Sequence, residues 1–395
     1  MKRFDIEEKR EDGMPVLAFK GRLDASAYDT AKERLDGIAE DERLILDFGE
    51  LSYISSSGLR LLVTRQKKQK DMRIIGVNPI VMEIFHVTGM TGVLKTEPAF
   101  EEVSVEGLPV LGMGASCEVY RMDDERVLKL YLAEIPLALI RQEKEYAQTA
   151  FLSGVRTAVS YQIVTCGGRY GTIFELMHAK TLAELMDNDP DQLPAYAAQA
   201  GQLLSEIHHT SFQEGALPRI SAHYHDMADR MGDYLTPEEI ARLHRFIDSI
   251  PERDTFVHGD FHPKNIMNSD EGLMLIDMAD ASMGNPVFDL GASYMSFVQI
   301  PKTMGEGARE MMGLDPALLP GAWEVILDTY FKDRTKEVRA KAAVMAGILS
   351  SLKRTLIVPN LTMFPAALRE QIIAGAREEF FPVMEGFAEE FKELL

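Results

Sequence analysis

The stretch His258-Gly259-Asp260-Phe261-His262-Pro263-Lys264-Asn265, followed by Leu275-Ile276-Asp277, places an acid, an amide and a second acid at a spacing suited to phosphoryl transfer. Asp260 is the candidate base for an attacking hydroxyl, and Asn265 and Asp277 are candidate ligands for divalent metal on ATP phosphates. Apolar runs, Thr255-Phe256-Val257 and Leu273 to Ile276, bracket the motif. A solvated surface loop needs neither that order nor those flanks.

The elements that must position this chemistry lie upstream. Gly112-Met113-Gly114 at a strand turn allows close backbone approach to phosphates. Val127-Leu128-Lys129-Leu130-Tyr131 sets one lysine in an apolar strand, where a buried unpaired charge is expensive. A phosphate and a carboxylate partner remove that cost; an edge strand with Lys129 facing water is the alternative. Ile140, Glu143, Ala147 and Ala150 fall on one helical face, which makes Glu143 the candidate partner. The apolar strand from Tyr170 ends at Glu175-Leu176-Met177, where backbone groups of Glu175 and Met177 are candidates for holding adenine. His208 and His209, on a helix, read as core or surface residues rather than catalysts.

Bulk properties narrow the classes. The chain has 395 residues, 46% of them hydrophobic, and a formal net charge of −20. That supports two or three cores and argues against nonspecific nucleic-acid or anionic-membrane binding, which need basic faces. Two cysteines, Cys117 and Cys166, make no disulfide framework. The start lacks the apolar core of a signal peptide, and no run is long enough to span a bilayer. The expected location is cytoplasmic.

The order Gly-x-Gly, strand lysine, helix glutamate, hinge strand, His-Gly-Asp-x-x-x-x-Asn, Ile-Asp resembles the aminoglycoside phosphotransferase and choline kinase family. The resemblance runs from about Leu108 to Gly291. It implies a two-lobed protein-kinase-like fold using ATP and Mg2+. It makes Asp260 the base, Asn265 and Asp277 the magnesium ligands, and Lys129 with Glu143 the grip on the α- and β-phosphates. Gly284-Asn285-Pro286-Val287-Phe288-Asp289-Leu290 resembles the family's Gly-Asp-Pro-x-x-Asp-Leu segment, with Asn285 replacing an Asp. By that resemblance Asp289 is a structural acid bracing the catalytic loop. Cys117 stands where a third loop glycine is usual, and Lys264, where a small residue is common, is expected to face solvent.

The first hundred residues alternate short strands (Met14 to Phe19, Arg43 to Phe48, Met72 to Val77) with amphipathic helices. Ser26 is expected to cap the first helix, Ser56 or Ser57 to begin the second with Arg65, Lys67, Lys68 and Lys70 outward, and Pro79 to begin the third. Gly21-Arg22-Leu23-Asp24, Leu46-Asp47-Phe48 and Tyr53-Ile54-Ser55-Ser56-Ser57-Gly58-Leu59 together resemble a STAS domain, the fold of anti-sigma factor antagonists. Ser56 aligns with that family's phosphorylated serine, at a helix N-terminus that favours phosphate; Ser55 stands where an Asp is usual. Helix capping alone also accounts for the serines.

The expected fold class is therefore a small α/β STAS domain over 1–97, a linker over 98–107, and a kinase-like domain. That last domain divides into an N-lobe over 108–178 and a large helical C-lobe over 179–395. The expected function is transfer of the ATP γ-phosphate to a hydroxyl of a small, aminoglycoside- or choline-like molecule, regulated by the STAS module, which would bind an anti-sigma-like partner. The alternatives are an adaptor with a weakly active kinase-like domain and a self-phosphorylating switch acting on Ser56.

Overall fold

The computed structural model describes residues 4–11, 14–69, 71–114, 116–270, 272–361 and 365–387; Lys70 and Ala115 lie outside them. The chain divides into two compact units, Met1–Val103 and Ser104–Leu395.

The first unit is a five-stranded sheet in sequence order. β1 (Asp5–Glu11) pairs antiparallel with β2 (Met14–Leu23), and β3 (Arg43–Ile54), β4 (Asp71–Val77) and β5 (Thr96–Pro98) continue in parallel. Parallel pairing requires crossovers. These are α1 (Tyr28–Asp36), α2 (Ser56–Lys68) and α3 (Pro79–Val87). A two-residue strand, β6 (Glu101–Glu102), follows. Buried strands explain the near-continuous apolar run of β2. Phe19, Phe48 and Phe85 pack through the core as tilted rings, with neighbouring centroids 5.1 and 6.5 Å apart.

Three local expectations are corrected. Ser26 does not cap α1: both its N–H and its hydroxyl donate to Asp24 Oδ1, and the N-cap position belongs to Ala27. Arg65 is not outward: it is buried and donates Nη2 to the Ile38 carbonyl at 2.6 Å, so its charged head closes the end of α1 from inside. β1 and β5 were not expected at all. The charges of β1 suit an exposed edge strand.

The second unit opens with an antiparallel sheet in which β7 (Val110–Met113), β8 (Cys117–Arg121), β9 (Arg126–Tyr131), β11 (Arg169–Glu175) and β10 (Ser160–Cys166) lie side by side in that order. Helix α4 (Leu137–Leu152) connects β9 to β10 and buries Ile140, Glu143, Ala147 and Ala150. After β12 (Lys180–Thr181) the unit is mainly helical: α5 (Leu182–Asn188), α6 (Leu193–His208), α7 (Ile220–Asp229) and α8 (Pro237–Asp248). Two short strand pairs interrupt it. β13 (Thr255–Val257) pairs with β16 (Ser282–Gly284), and β14 (Ile266–Ser269) with β15 (Gly272–Leu275).

Helices α9 (Val287–Tyr294), α10 (Ile300–Met304), α11 (Ala308–Met312), α12 (Leu319–Tyr330), α13 (Lys336–Leu356) and α14 (Ala366–Gly375) follow. Close helix crossing fixes α9 on α13: a Cβ on Gly291 would lie 2.4 Å from Leu349 Cβ. A π-helical turn, Met295–Gln299, extends α9.

Candidate active site

The paired short strands set the chemistry. Asp260 follows β13, Asn265 precedes β14, and Asp277 follows β15, so the β14–β15 hairpin carries Asn265 and Asp277 at one end. The loop between β13 and β14 is held at its backbone. Asp289, fully buried on α9, accepts the N–H of His258 at 2.7 Å on Oδ2 and that of Gly259 at 2.6 Å on Oδ1. Its Oδ2 also meets His208 Nε2 at 3.0 Å, and His208 Nδ1 meets the Tyr330 hydroxyl at 2.8 Å. On the other side of Gly259, Lys353 Nζ donates to the carbonyl, and Ser293 Oγ donates to the Phe261 carbonyl at 3.2 Å. Gly259 has φ +82°, and a Cβ there would sit 2.7 Å from Asp280 Cβ, so only glycine fits.

Asp260 is partly open to solvent. It accepts from Asn265 Nδ2 at 3.2 Å and lies 3.2 Å from His262 Nε2. Burial pushes its carboxyl up, but His262, with Lys353 and His258 behind it, outweighs burial and holds the group well below the usual carboxylate range. Asp260 is thus kept as a carboxylate, the form a proton acceptor needs. Asn265 uses Nδ2 on the Asp260 side chain and carbonyl. Its Oδ1 has no partner among the described residues.

Lys129 lies on β9, flanked by β8 and β11 through Val119 and Thr172, and so on an interior strand rather than an edge. Its Nζ donates to Glu143 Oε1 at 2.6 Å and to Asp277 Oδ1 at 3.1 Å. Tyr131 donates its hydroxyl to Glu143 Oε2 at 3.0 Å. Burial works against the lysine's charge; Asp277 and Glu143 overcome it and hold the ammonium well above its ordinary value. Asp277 is the one non-glycine residue with positive φ (64°) among the described residues, a strained conformation that Asp tolerates better than most. Asn265 Oδ1 and the second Asp277 oxygen are hard oxygen donors of the kind Mg2+ takes.

Further out, Gly112 pairs with Val119, and Gly114 N donates to the Cys117 carbonyl at 2.8 Å, forming a tight β7–β8 turn. Neither glycine has positive φ. Cys117 is buried, and burial pushes its thiol up. At the hinge, Glu175 N donates to the Val159 carbonyl at 2.9 Å. The Met177 carbonyl accepts from Ala179, while the Met177 N–H has no acceptor among the described residues. Lys264 is half-buried, its Cγ and Cδ packed over Gly313 rather than wholly in solvent. Asn285 is buried, donating to the Pro251 carbonyl and accepting from Val287 N.

His208 is a buried helix residue, as expected, but its hold on Asp289, like the roles of Tyr330 and Lys353, was not visible in the sequence. Each is an ordinary helical residue at a large sequence distance from the loop it braces; the only local signal was polarity at an inward helical position.

In the first unit, Ser55 caps α2, accepting from Gly58 N at 3.4 Å, and touches Ser57 Oγ at 2.7 Å. Ser56 is exposed in the first turn. Gly58 is required there, since a Cβ would sit 2.8 Å from Ile54 Cγ1.

Comparison with known proteins sorts the two units. Residues 5–103 match the STAS domain model. An 88-residue segment is 31% identical to the candidate anti-sigma factor antagonist BtrV of Bordetella bronchiseptica, covering 21% of this chain and 76% of that protein. Similar solved structures include a choline/ethanolamine kinase family protein from Mesorhizobium loti, with 17% identity, TM-score 0.48, and 72% and 92% of the two chains covered. Another is an aminoglycoside phosphotransferase in a ternary complex with streptomycin and ATP, at 15% identity, TM-score 0.43, and 70% and 92% covered. Residues 108–322 match the model of the phosphotransferase enzyme family. That match spans more than half of the chain and contains Lys129, Asp260 and Asp277, so the chain belongs to the phosphotransferase enzyme family.

Proposed function

We propose that the chain transfers the γ-phosphate of Mg-ATP to a hydroxyl of a small molecule. The observation that carries this reading is the Asp260 carboxylate hydrogen-bonded to Asn265, in a loop that leads through β14 and β15 to Asp277 on the Lys129–Glu143 pair. In this reading residues 108–178 and 179–395 act as two lobes. The acceptor hydroxyl hydrogen-bonds Asp260, which takes its proton as the oxygen attacks phosphorus in line. Lys129, held by Glu143, grips the α- and β-phosphates. Gly112 and Gly114 let the β7–β8 turn approach them, and backbone groups of Glu175 and Met177 meet the adenine edge. Asn265 and Asp277 would hold Mg2+, which neutralises phosphate charge when bound. Asp289 touches no reactant; it fixes the loop that carries Asp260.

The STAS unit serves in this proposal as a regulatory module that docks an anti-sigma-like protein, with Ser56 as its candidate phosphorylation site. Exposure of Ser56 at the start of α2 supports that assignment.

The test is ATP turnover against a panel of small alcohols and amino sugars, with Asp260→Ala as control. A drop of about 10²–10⁴-fold in the variant, with nucleotide affinity retained, is expected for loss of a general base. Tight nucleotide binding with no turnover on any acceptor, unchanged in Asp260→Ala, would sink the reading in favour of an adaptor.

A further inference from the structure

Helices α7 and α8 bring together two histidines that the phosphotransfer site does not use. His225 Nδ1 and His244 Nδ1 face each other at 2.6 Å, edge to edge, with the ring planes 19° apart and centroids 4.8 Å apart. Each ring's far nitrogen is already engaged: His225 Nε2 meets Asp248 Oδ1 at 3.0 Å, and His244 Nε2 meets Asp229 Oδ1 at 3.0 Å. With each Nε2–H donating to its carboxylate, the two Nδ1 lone pairs turn toward one another. A cation relieves that approach, either a proton shared between the nitrogens or a metal ion that parts them.

We propose that the His225–His244 pair is a binding site for a divalent transition metal, Zn2+ being the committed ion. Imidazole nitrogen is a donor this class prefers. A histidine that ligates metal through one nitrogen commonly donates the other N–H to a carboxylate, which fixes tautomer and ring orientation; here both ligands carry that support. Two nitrogens on a tetrahedral zinc stand roughly 3.3 Å apart for bonds of about 2.0–2.1 Å. The rings therefore need to part by less than about 1 Å. The side chains are 27% and 29% exposed, which leaves an entry path and room for water to complete the shell. No group of three or more His, Cys, Asp or Glu suited to a metal occurs among the described residues, so the protein supplies two donors here. A metal at this point ties α7 to α8 across a sequence gap of 19 residues.

The experiment uses the untagged full-length chain after chelator treatment, since a polyhistidine tag would bind the ion itself. Calorimetric titration with Zn2+ is expected to show one site per chain. Saturating zinc is expected to raise the melting temperature of the second unit by about 3–6 °C. His225→Ala and His244→Ala each abolish both effects, and Asp248→Asn weakens affinity by about 10–100-fold. His244→Gln, which retains volume and a hydrogen bond to Asp229, serves if the alanine variant does not fold. Absence of binding at millimolar zinc would show that the nitrogens share only a proton and would overturn the proposal. Binding that survives in both histidine variants would overturn it equally.

Discussion

Asp289→Ala tests the bracing of the catalytic loop. In the folded chain Asp289 serves three donors: the His258 and Gly259 amides and His208 Nε2. Alanine leaves all three without an acceptor in a fully buried place. An orphaned buried polar group costs about 1–3 kcal/mol, so three of them should cost the variant about 3–9 kcal/mol. For a domain of this size that lowers the melting temperature by roughly 6–36 °C. The chain has a single tryptophan, Trp323, which is buried on α12 against Tyr294 and Phe297. Its emission therefore reports the second unit alone, free of the STAS unit's transition. Below the new melting temperature, turnover should fall about 10²-fold, the cost of a misplaced reacting group. The KM for ATP should move little, because Lys129 and Glu143 are untouched.

The pH dependence follows from the same contacts. Burial pushes the Asp289 carboxyl up, but the His208 hydrogen bond, His208 and His258 charge and the His258 amide hold it below its ordinary value. A depressed folded value stabilises the chain above the unfolded value of about 3.9 and is lost as pH falls through the folded one. The stability gap between wild type and Asp289→Asn should thus be full near neutrality and shrink below about pH 4. Equal melting temperatures and equal turnover for Asp289→Ala and wild type would refute the bracing argument outright.

Four further outcomes are expected. Glu143→Gln leaves Lys129 leaning on Asp277, and ATP turnover should fall about 10²-fold in steady-state assays as the lysine is misplaced. Ser55→Ala should destabilise the first unit by about 1 kcal/mol, measured as faster amide exchange along α2. Ser56→Ala, which removes no cap, should stay within about 0.5 kcal/mol. Gly291→Ala forces a methyl into the α9–α13 crossing and should cost about 1–3 kcal/mol by urea denaturation followed through Trp323.

What could be read from sequence was what lies close in sequence or repeats with a period. His258 to Asn265 and Asp277 sit within one reversal of chain, so their spacing alone suggests a joint task. Glu143 stood out because a carboxylate interrupted an apolar helical stripe, and burial of that stripe beside Lys129 follows from its period. Arg65 shows the limit of the same logic. Its charge pointed outward by type, yet a carbonyl at the end of α1 offers a buried acceptor that no local pattern reveals. Ser26 looked like a cap because its type suits capping, but Asp24 captured both of its donors first. His208, Tyr330 and Lys353 reach the catalytic loop only through tertiary packing, and nothing within a helical turn of any of them signals it.

The double hold on Gly259 sets a limit on how the protein can be dissected. One end of that residue is tied to α9 and the other to α13, through Lys353. The segment shared with the family ends at residue 322. A fragment cut at that shared boundary would carry Lys129, Asp260, Asn265 and Asp277 and still lack Tyr330 and Lys353. The minimal working enzyme therefore extends through α13.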